Sequence, residues 1–120
     1  MQYALLIYTS EAVEAQMSEE QRQAEFGEYF GFSNLTRERG VNMGGEALHP
    51  ISTATTVRVR EGKTLTTDGP FAETREQLGG FYLLNCKDID EAIEFAAKIP
   101  GARHGSVEIR PVMVFDQNSG

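Results

Sequence analysis

Residues 79 to 114 read "GGFYLLNCKDIDEAIEFAAKIPGARHGSVEIRPVMV", and they decide the fold because three periodicities follow one another there. "GGFYLLNC" (79–86) is a short continuous apolar run, the pattern of a strand inside a sheet. "DIDEAIEFAAKIP" (88–100) reads as a helix with Asp88 as cap, Glu91 at the capping-box position and Ile89, Ala92, Ile93, Ala96 and Ile99 on one face; Pro100-Gly101 stops it. "GSVEIRPVMV" (105–114) sets Val107 and Ile109 against Ser106, Glu108 and Arg110, so it is a strand with one wet face. Pro111 cannot donate to a ladder, which argues for an edge or a bulge.

Upstream, the same kinds of segment come in the same order. "QYALLIY" (2–8) is an apolar run suited to a central strand. "SEEQRQAEFGEYFGFSNLTRERG" (18–40) opens with Ser18 and Gln21 at capping-box spacing and closes with Arg37, Arg39 and Gly40, as a long helix does. Phe26, Tyr29 and Phe30 share a face there, while Ala24, Phe32 and Leu35 lie around the side, which predicts packing on two surfaces. Gly27 and Gly31 weaken that helix, and close approach of another element would account for them. "VNMGGEALHP" (41–50) reads as a second strand running into a loop.

Between these halves, "TATTVRVREGKTLTTDG" (53–69) alternates Thr55, Val57 and Val59 against Thr56, Arg58 and Arg60, turns at Glu61-Gly62 and returns. That hairpin places Arg60 across from Lys63, Val57 across from Thr66 and Thr55 across from Asp68. With it set aside, the order is βαββαβ: an α+β, ferredoxin-like antiparallel sheet with both helices on one face and an inserted β-hairpin. The other sheet face then lacks a cover, and the same face of a second copy supplies one, so the architecture predicts a symmetric homodimer.

The 120 residues form a single domain, long enough to bury a core without metal or disulfide. With 11 Lys plus Arg against 18 Asp plus Glu, the net charge is -7, a sign that repels phosphate backbones and anionic lipid and argues against nucleic acid and membrane as partners. No apolar run reaches the roughly 20 residues of a membrane span, and the start shows no signal-peptide pattern, so a cytoplasmic location is expected. Cys86 is the lone cysteine and reads as a small core residue. "FDQNSG" (115–120) reads as a frayed tail. Neither a metal-ligand set nor a cofactor motif occurs, so no cofactor is expected.

Residues 66 to 84, "TTDGPFAETREQLGGFYLL", together with "GGEALHP", "TATTVRV" and the 88–113 segment, resemble the DGPF-type branch of the YCII-related family over nearly the whole chain. The resemblance implies a dimeric α+β barrel in which two ferredoxin-like sheets face one another. It also implies one of two roles. One is a small-molecule enzyme or binding protein, since some members place a His and an Asp together in a cleft. The other is an accessory protein with a protein partner, since DGPF-type proteins are often encoded beside extracytoplasmic-function sigma factors. Shorter members carry that His near the start of the first helix. "SEEQRQAEFGEYF" has none, so Asp68, which matches the motif, would need His49, His104 or a non-histidine partner.

Asp68 has a structural use and a chemical one. Ahead of Gly69-Pro70 it can accept from the amides of Phe71 or Ala72 and fix the turn; in a cleft it can act as a general acid or base. Glu73 is a second carboxylate close enough in sequence to raise the pKa of one of the pair, although with Arg75 and Glu76 it also suits a solvated charge cluster. His49 and His104 are loop histidines, open to acid–base use or simple exposure. Arg58, Arg75 and Arg103 are cations that could hold a small carboxylate or phosphate, or pair with the many acids. Gly79-Gly80 leaves room for a backbone or a ligand to approach the strand.

Overall fold

A computed structural model describes residues 1–115. It contains β1 (Gln2–Thr9), a one-turn helix α1 (Glu11–Glu14), α2 (Glu19–Glu38), β2 (Asn42–Ala47), β3 (Thr55–Arg60), β4 (Lys63–Asp68), β5 (Gln77–Asn85), α3 (Ile89–Ala96) and β6 (Ser106–Pro111). Short 3-10 turns cover Ile51–Thr53 and Pro100–Arg103. The expected tail lies outside the described residues but for Phe115.

Four strands form one antiparallel sheet in the order β2-β5-β1-β6, while β3 and β4 pair only with each other. This is an α+β fold compatible with a ferredoxin-like arrangement. The apolar runs of β1 and β5 take the two central positions, and β6, which contains Pro111, lies at an edge where a missing donor costs no ladder bond. β1 buries every second residue: Tyr3, Leu5, Ile7 and Thr9 point toward the helices. They pack with Phe32, Leu84, Ala92, Phe95 and Ile99 in one core. Phe32 meets Tyr82 edge-on at a centroid distance of 4.8 Å, a favoured aromatic geometry.

The caps expected at Ser18 and Asp88 are formed. Ser18 and Gln21 make the reciprocal pair, and Asp88 accepts from Glu91 N. At the other end of α2, the buried Thr36 hydroxyl serves the Phe32 and Ser33 carbonyls and accepts from Asn42 Nδ2 at 2.9 Å. That bond ties the helix end to the start of β2. In the middle of β2 the backbone of β5 comes so close that a Cβ on Gly45, at φ 152°, would lie 2.4 Å from the Phe81 carbonyl oxygen.

Two helix faces differ from the sequence expectation. In α3, Ala92, Phe95 and Ala96 turn inward, leaving Ile89 and Ile93 44% and 51% exposed; the larger Phe95 ring takes the core position against Phe32. In α2, Phe26 and Phe30 stand exposed, and Gly27 and Gly31 face open space, so no element among the described residues approaches them.

The opposite sheet face carries Ala4, Leu6 and Tyr8 on β1, beside Leu83, Phe81 and Leu78 on β5 and Arg110, Glu108 and Ser106 on β6. Its centre is apolar and half-buried, with charged residues at the β6 edge.

The hairpin forms in the predicted register, Thr55↔Asp68 through Arg60↔Lys63. Glu61 at φ 51° and Gly62 at φ 76° make the turn that matches strand twist. It stands away from the body: every β4 residue is exposed, and so are Val57 and Val59. The radius of gyration is 16.7 Å, against about 14 Å for a compact chain of this length.

Candidate functional site

β1 ends at Thr9 and the chain turns into α1, whose N-cap Ser10 accepts from Val13 N. This one-turn helix, the first half of α2 and the ends of β2 and β5 enclose a cleft of about 750 Å³ on the helix side of the sheet, within the range of small-molecule sites. Its floor comes from Thr9, Gly79 and Gly80, its α2 wall from Phe26, Tyr29 and Ser33, and its rim from Glu14, Ala15 and His49.

Two glycines give the floor its shape. A Cβ on Gly80 would press to 2.9 Å from the Glu46 carbonyl oxygen, so there the approaching group is the β2 backbone. Gly79 meets nothing closer than Thr9 Oγ1 at 3.9 Å and opens on the cleft.

The rim is held by a chain of bonds through Glu11. Its backbone N–H donates to Gln77 Oε1 at 2.9 Å, and its carboxylate accepts from Ile51 N at 3.0 Å. The loop carrying His49 is thereby fixed to the start of α1. Arg22 also lines the cleft, with its guanidinium donating to the carbonyls of Glu14 and Ala15.

The wall is ordered by Tyr29, whose phenol oxygen accepts from Gly101 N at 3.1 Å. Burial, reinforced by the charge of Glu25, pushes its pKa up to about 12, so the phenol keeps its proton at neutral pH and can donate into the cleft. Tyr82 and Ser33 hydroxyls lie 3.4 Å apart on the inner wall.

The residues nominated from sequence are dispersed. His49 lines the cleft. Asp68 does not: it is exposed at the base of the hairpin, and among the described residues its carboxylate accepts no hydrogen bond from Phe71, Ala72 or any histidine. The neighbouring Thr56 hydroxyl secures the turn instead, donating to the Gly69 carbonyl at 2.8 Å. His104 Nε2 lies 3.0 Å from Glu25 Oε1, behind the α2 wall. Glu73 and Arg75 are exposed. Glu76, beside them, accepts from the Ser106 hydroxyl at 3.0 Å.

The three cations do not form an anion clamp within the chain. Arg103 is engaged with both oxygens of Glu28, one at 2.9 Å, and Arg58 donates to the Phe71 carbonyl at 3.3 Å. The Arg103 guanidinium holds the Glu28 carboxyl below its ordinary range. Among the described residues no group of His, Cys, Asp or Glu side chains is placed to hold a metal ion, and no helix is long and apolar enough to cross a membrane.

Sequence reasoning missed Thr9, Glu14 and Ser33, and saw Tyr29 only as part of an apolar face. Thr9 had a signal: in "QYALLIYT" it continues the core-facing series Tyr3, Leu5, Ile7 with a polar residue. Glu14 had none, because its position depends on a helix of one turn.

The YCII-related domain matches residues 1–116. An uncharacterized protein of Rhizobium meliloti (strain 1021) is 38% identical over 117 residues, covering 96% of this chain and 94% of its own length. Through a domain match that spans the sheet, the hairpin and the cleft alike, this chain belongs to the YCII-related domain family.

Proposed function

We propose that this chain binds a small organic molecule in the cleft between α1, α2 and the β2–β5 edge, and that it works as a homodimer. The observation that carries the reading is the cleft itself: about 750 Å³, walled by aromatic rings, with a histidine on a rim fixed by Glu11. Apolar walls with a few placed polar groups are what small-ligand sites are made of. Where the reading extends to catalysis, His49 is the acid–base group within one chain, since an imidazole can both give and accept a proton.

A second copy belongs to the same reading. The apolar sheet face around Leu6 and Phe81 is left open by the helices, as two facing sheets of a dimeric α+β barrel require. The hairpin supports it too, because a two-stranded ribbon is marginal alone. The β3–β4 segment carries three cations and two acids, whereas the rest of the chain carries eight cations and sixteen acids, so another copy offers it charge complementarity. Asp68 enters through that arm, presented to the cleft of the second copy.

An accessory role with a protein partner has one specific support: Phe71 of the DGPF turn is 77% exposed. The two readings part in a ligand screen by thermal shift. Binding to the folded state raises Tm, and a ligand at 100 times its Kd adds about 2.7 kcal/mol. Ala15→Trp, which fills the cleft from an exposed position, should abolish the response to any compound found. A broad screen with no stabilising compound would overturn the small-molecule reading.

A further inference from the structure

We infer that the molecule taken up in this cleft carries a protonated amine. The inference rests on the reading of the cleft as a ligand site and names the chemistry it selects.

The first observation is Thr9. The residue is 5% exposed, and its hydroxyl has no hydrogen-bond partner among the described residues. The orientation follows from its neighbours. The methyl lies against Gly101 and Gly105, within 3.2 Å and 2.9 Å of where a Cβ on each would sit, while Oγ1 faces Gly79 on the cleft floor. With its methyl held against the two glycines, the hydroxyl opens on the cleft, where a ligand can supply its hydrogen bond.

The second observation is the balance of donors and acceptors around that space. Three donors are already committed: Arg22 Nη2 to the carbonyls of Glu14 and Ala15, Gln77 Nε2 to the Thr74 carbonyl, and Gly101 N to Tyr29. Two carboxylates on the α1 side keep free oxygens. Glu11 uses one oxygen on Ile51 N and keeps the other, and the half-buried Glu14 carboxylate has no hydrogen-bond partner among the described residues. Glu14 and Glu25 both contribute to raising the Tyr29 pKa, which places their charge on this wall.

Four glutamates line the cleft against one guanidinium, whose charge rests against helix carbonyls; Glu25 is held by His104, which leaves Glu11 and Glu14 as the acids with free oxygens toward α1. A ligand that brings its own donors and a positive charge meets these free oxygens; a carboxylate or phosphate would add a further anion. Phe26 and Tyr29 also line the cleft, and aromatic walls suit an apolar stem next to a cation. The class is therefore a small amine with an apolar or aryl body, its ammonium toward Glu14 and a polar contact at Thr9 Oγ1.

The test compares three probes of one shape on the full chain by isothermal titration at neutral pH: 2-phenylethylamine, 2-phenylethanol and 3-phenylpropanoate. The amine is expected to bind roughly tenfold or more tightly than the alcohol, as one partly screened charge pair provides, with the carboxylate weakest. Glu14→Gln, which keeps the shape, should bring the amine down to the alcohol while leaving the alcohol unchanged. Thr9→Val should weaken all three probes. Equal binding of amine and alcohol, or tighter binding of the carboxylate, would overturn the inference and leave the cleft reading standing. Failure of all three to bind, together with an empty screen, would remove the cleft reading and this inference with it.

Discussion

The Tyr29 phenol oxygen accepts a hydrogen bond from the backbone N–H of Gly101, 72 residues away, at 3.1 Å. The contact joins the middle of α2 to the 3-10 turn after α3, and so sets how far α2 stands off the sheet. The space under the first half of α2 is the cleft. Gly101 has no room for a side chain there, since a Cβ would lie 2.7 Å from the same phenol oxygen.

Removing that acceptor should loosen the wall. Tyr29→Phe leaves Gly101 N–H without its partner and is expected to cost about 1 kcal/mol at neutral pH. The alkaline limb separates the variants further. Folded Tyr29 holds its proton up to about 12, whereas the unfolded chain releases it near 10. The unfolded state therefore binds fewer protons between those values, and the wild type loses stability as pH rises through that window. Urea unfolding at stepped alkaline pH should show this extra loss in the wild type and its absence in Tyr29→Phe. Parallel pH profiles would place the phenol in a solvated setting.

Cys86 gives an independent probe of the core. It is 1% exposed, and burial first, then the charge of Glu91, pushes its thiol pKa up. A neutral, buried thiol is a poor nucleophile. Alkylation of the native protein should be slow, and should accelerate with urea in step with global unfolding. Fast labelling in the absence of denaturant would mean that the β5–α3 junction opens locally.

Much of the frame was legible because it is governed by local chemistry. Ser18 with Gln21 and Asp88 with Glu91 are caps whose spacing is itself the structure, and Glu61-Gly62 fixes the hairpin register through its positive φ values. Helix rotation was less legible: Ile89 and Phe95 compete for the inside of α3, and the ring at Phe32 decides it. The cleft was barely legible, since Thr9, Glu14 and Tyr29 come from three elements whose approach is set by tertiary bonds such as Tyr29 to Gly101. The DGPF turn was conspicuous as sequence, yet Asp68 and Phe71 both stand exposed and outside the cleft of their own chain.

Dimerisation is expected at micromolar concentration and is read by sedimentation. Leu6 lies at the centre of the open sheet face, between Phe81 and Glu108 on its neighbouring strands. Leu6→Asp would place a charge where two apolar faces meet and should yield a folded monomer, while the core-facing Leu5 and Ile7 are untouched. Shortening the hairpin, by replacing 57–66 with a two-residue Asn-Gly turn, should weaken the dimer without lowering the cooperativity of chain unfolding. A wild-type monomer would overturn the assembly; a dimer indifferent to the arm would overturn only the arm's part in it.

Asp68 is then tested in a way that separates its own chain's cleft from the other's. Its exposed carboxylate makes no hydrogen bond among the described residues, so Asp68→Asn should change stability by no more than about 0.5 kcal/mol. If the arm of one copy serves the cleft of the other, Asp68→Asn should still lower the affinity for a compound found in the thermal-shift screen. Ala15→Trp should abolish binding by blocking the cleft. Mixing the two variants makes dimers in which one cleft is open and faces an intact Asp68 from the second chain. That cleft should recover wild-type affinity, so a mixture should show a tight-binding fraction that neither variant has alone. A mixture with no such fraction, despite exchange of subunits, would assign Asp68 to its own chain. Wild-type affinity in the Asp68→Asn homodimer would remove Asp68 from the site altogether and leave the DGPF turn as a surface for assembly.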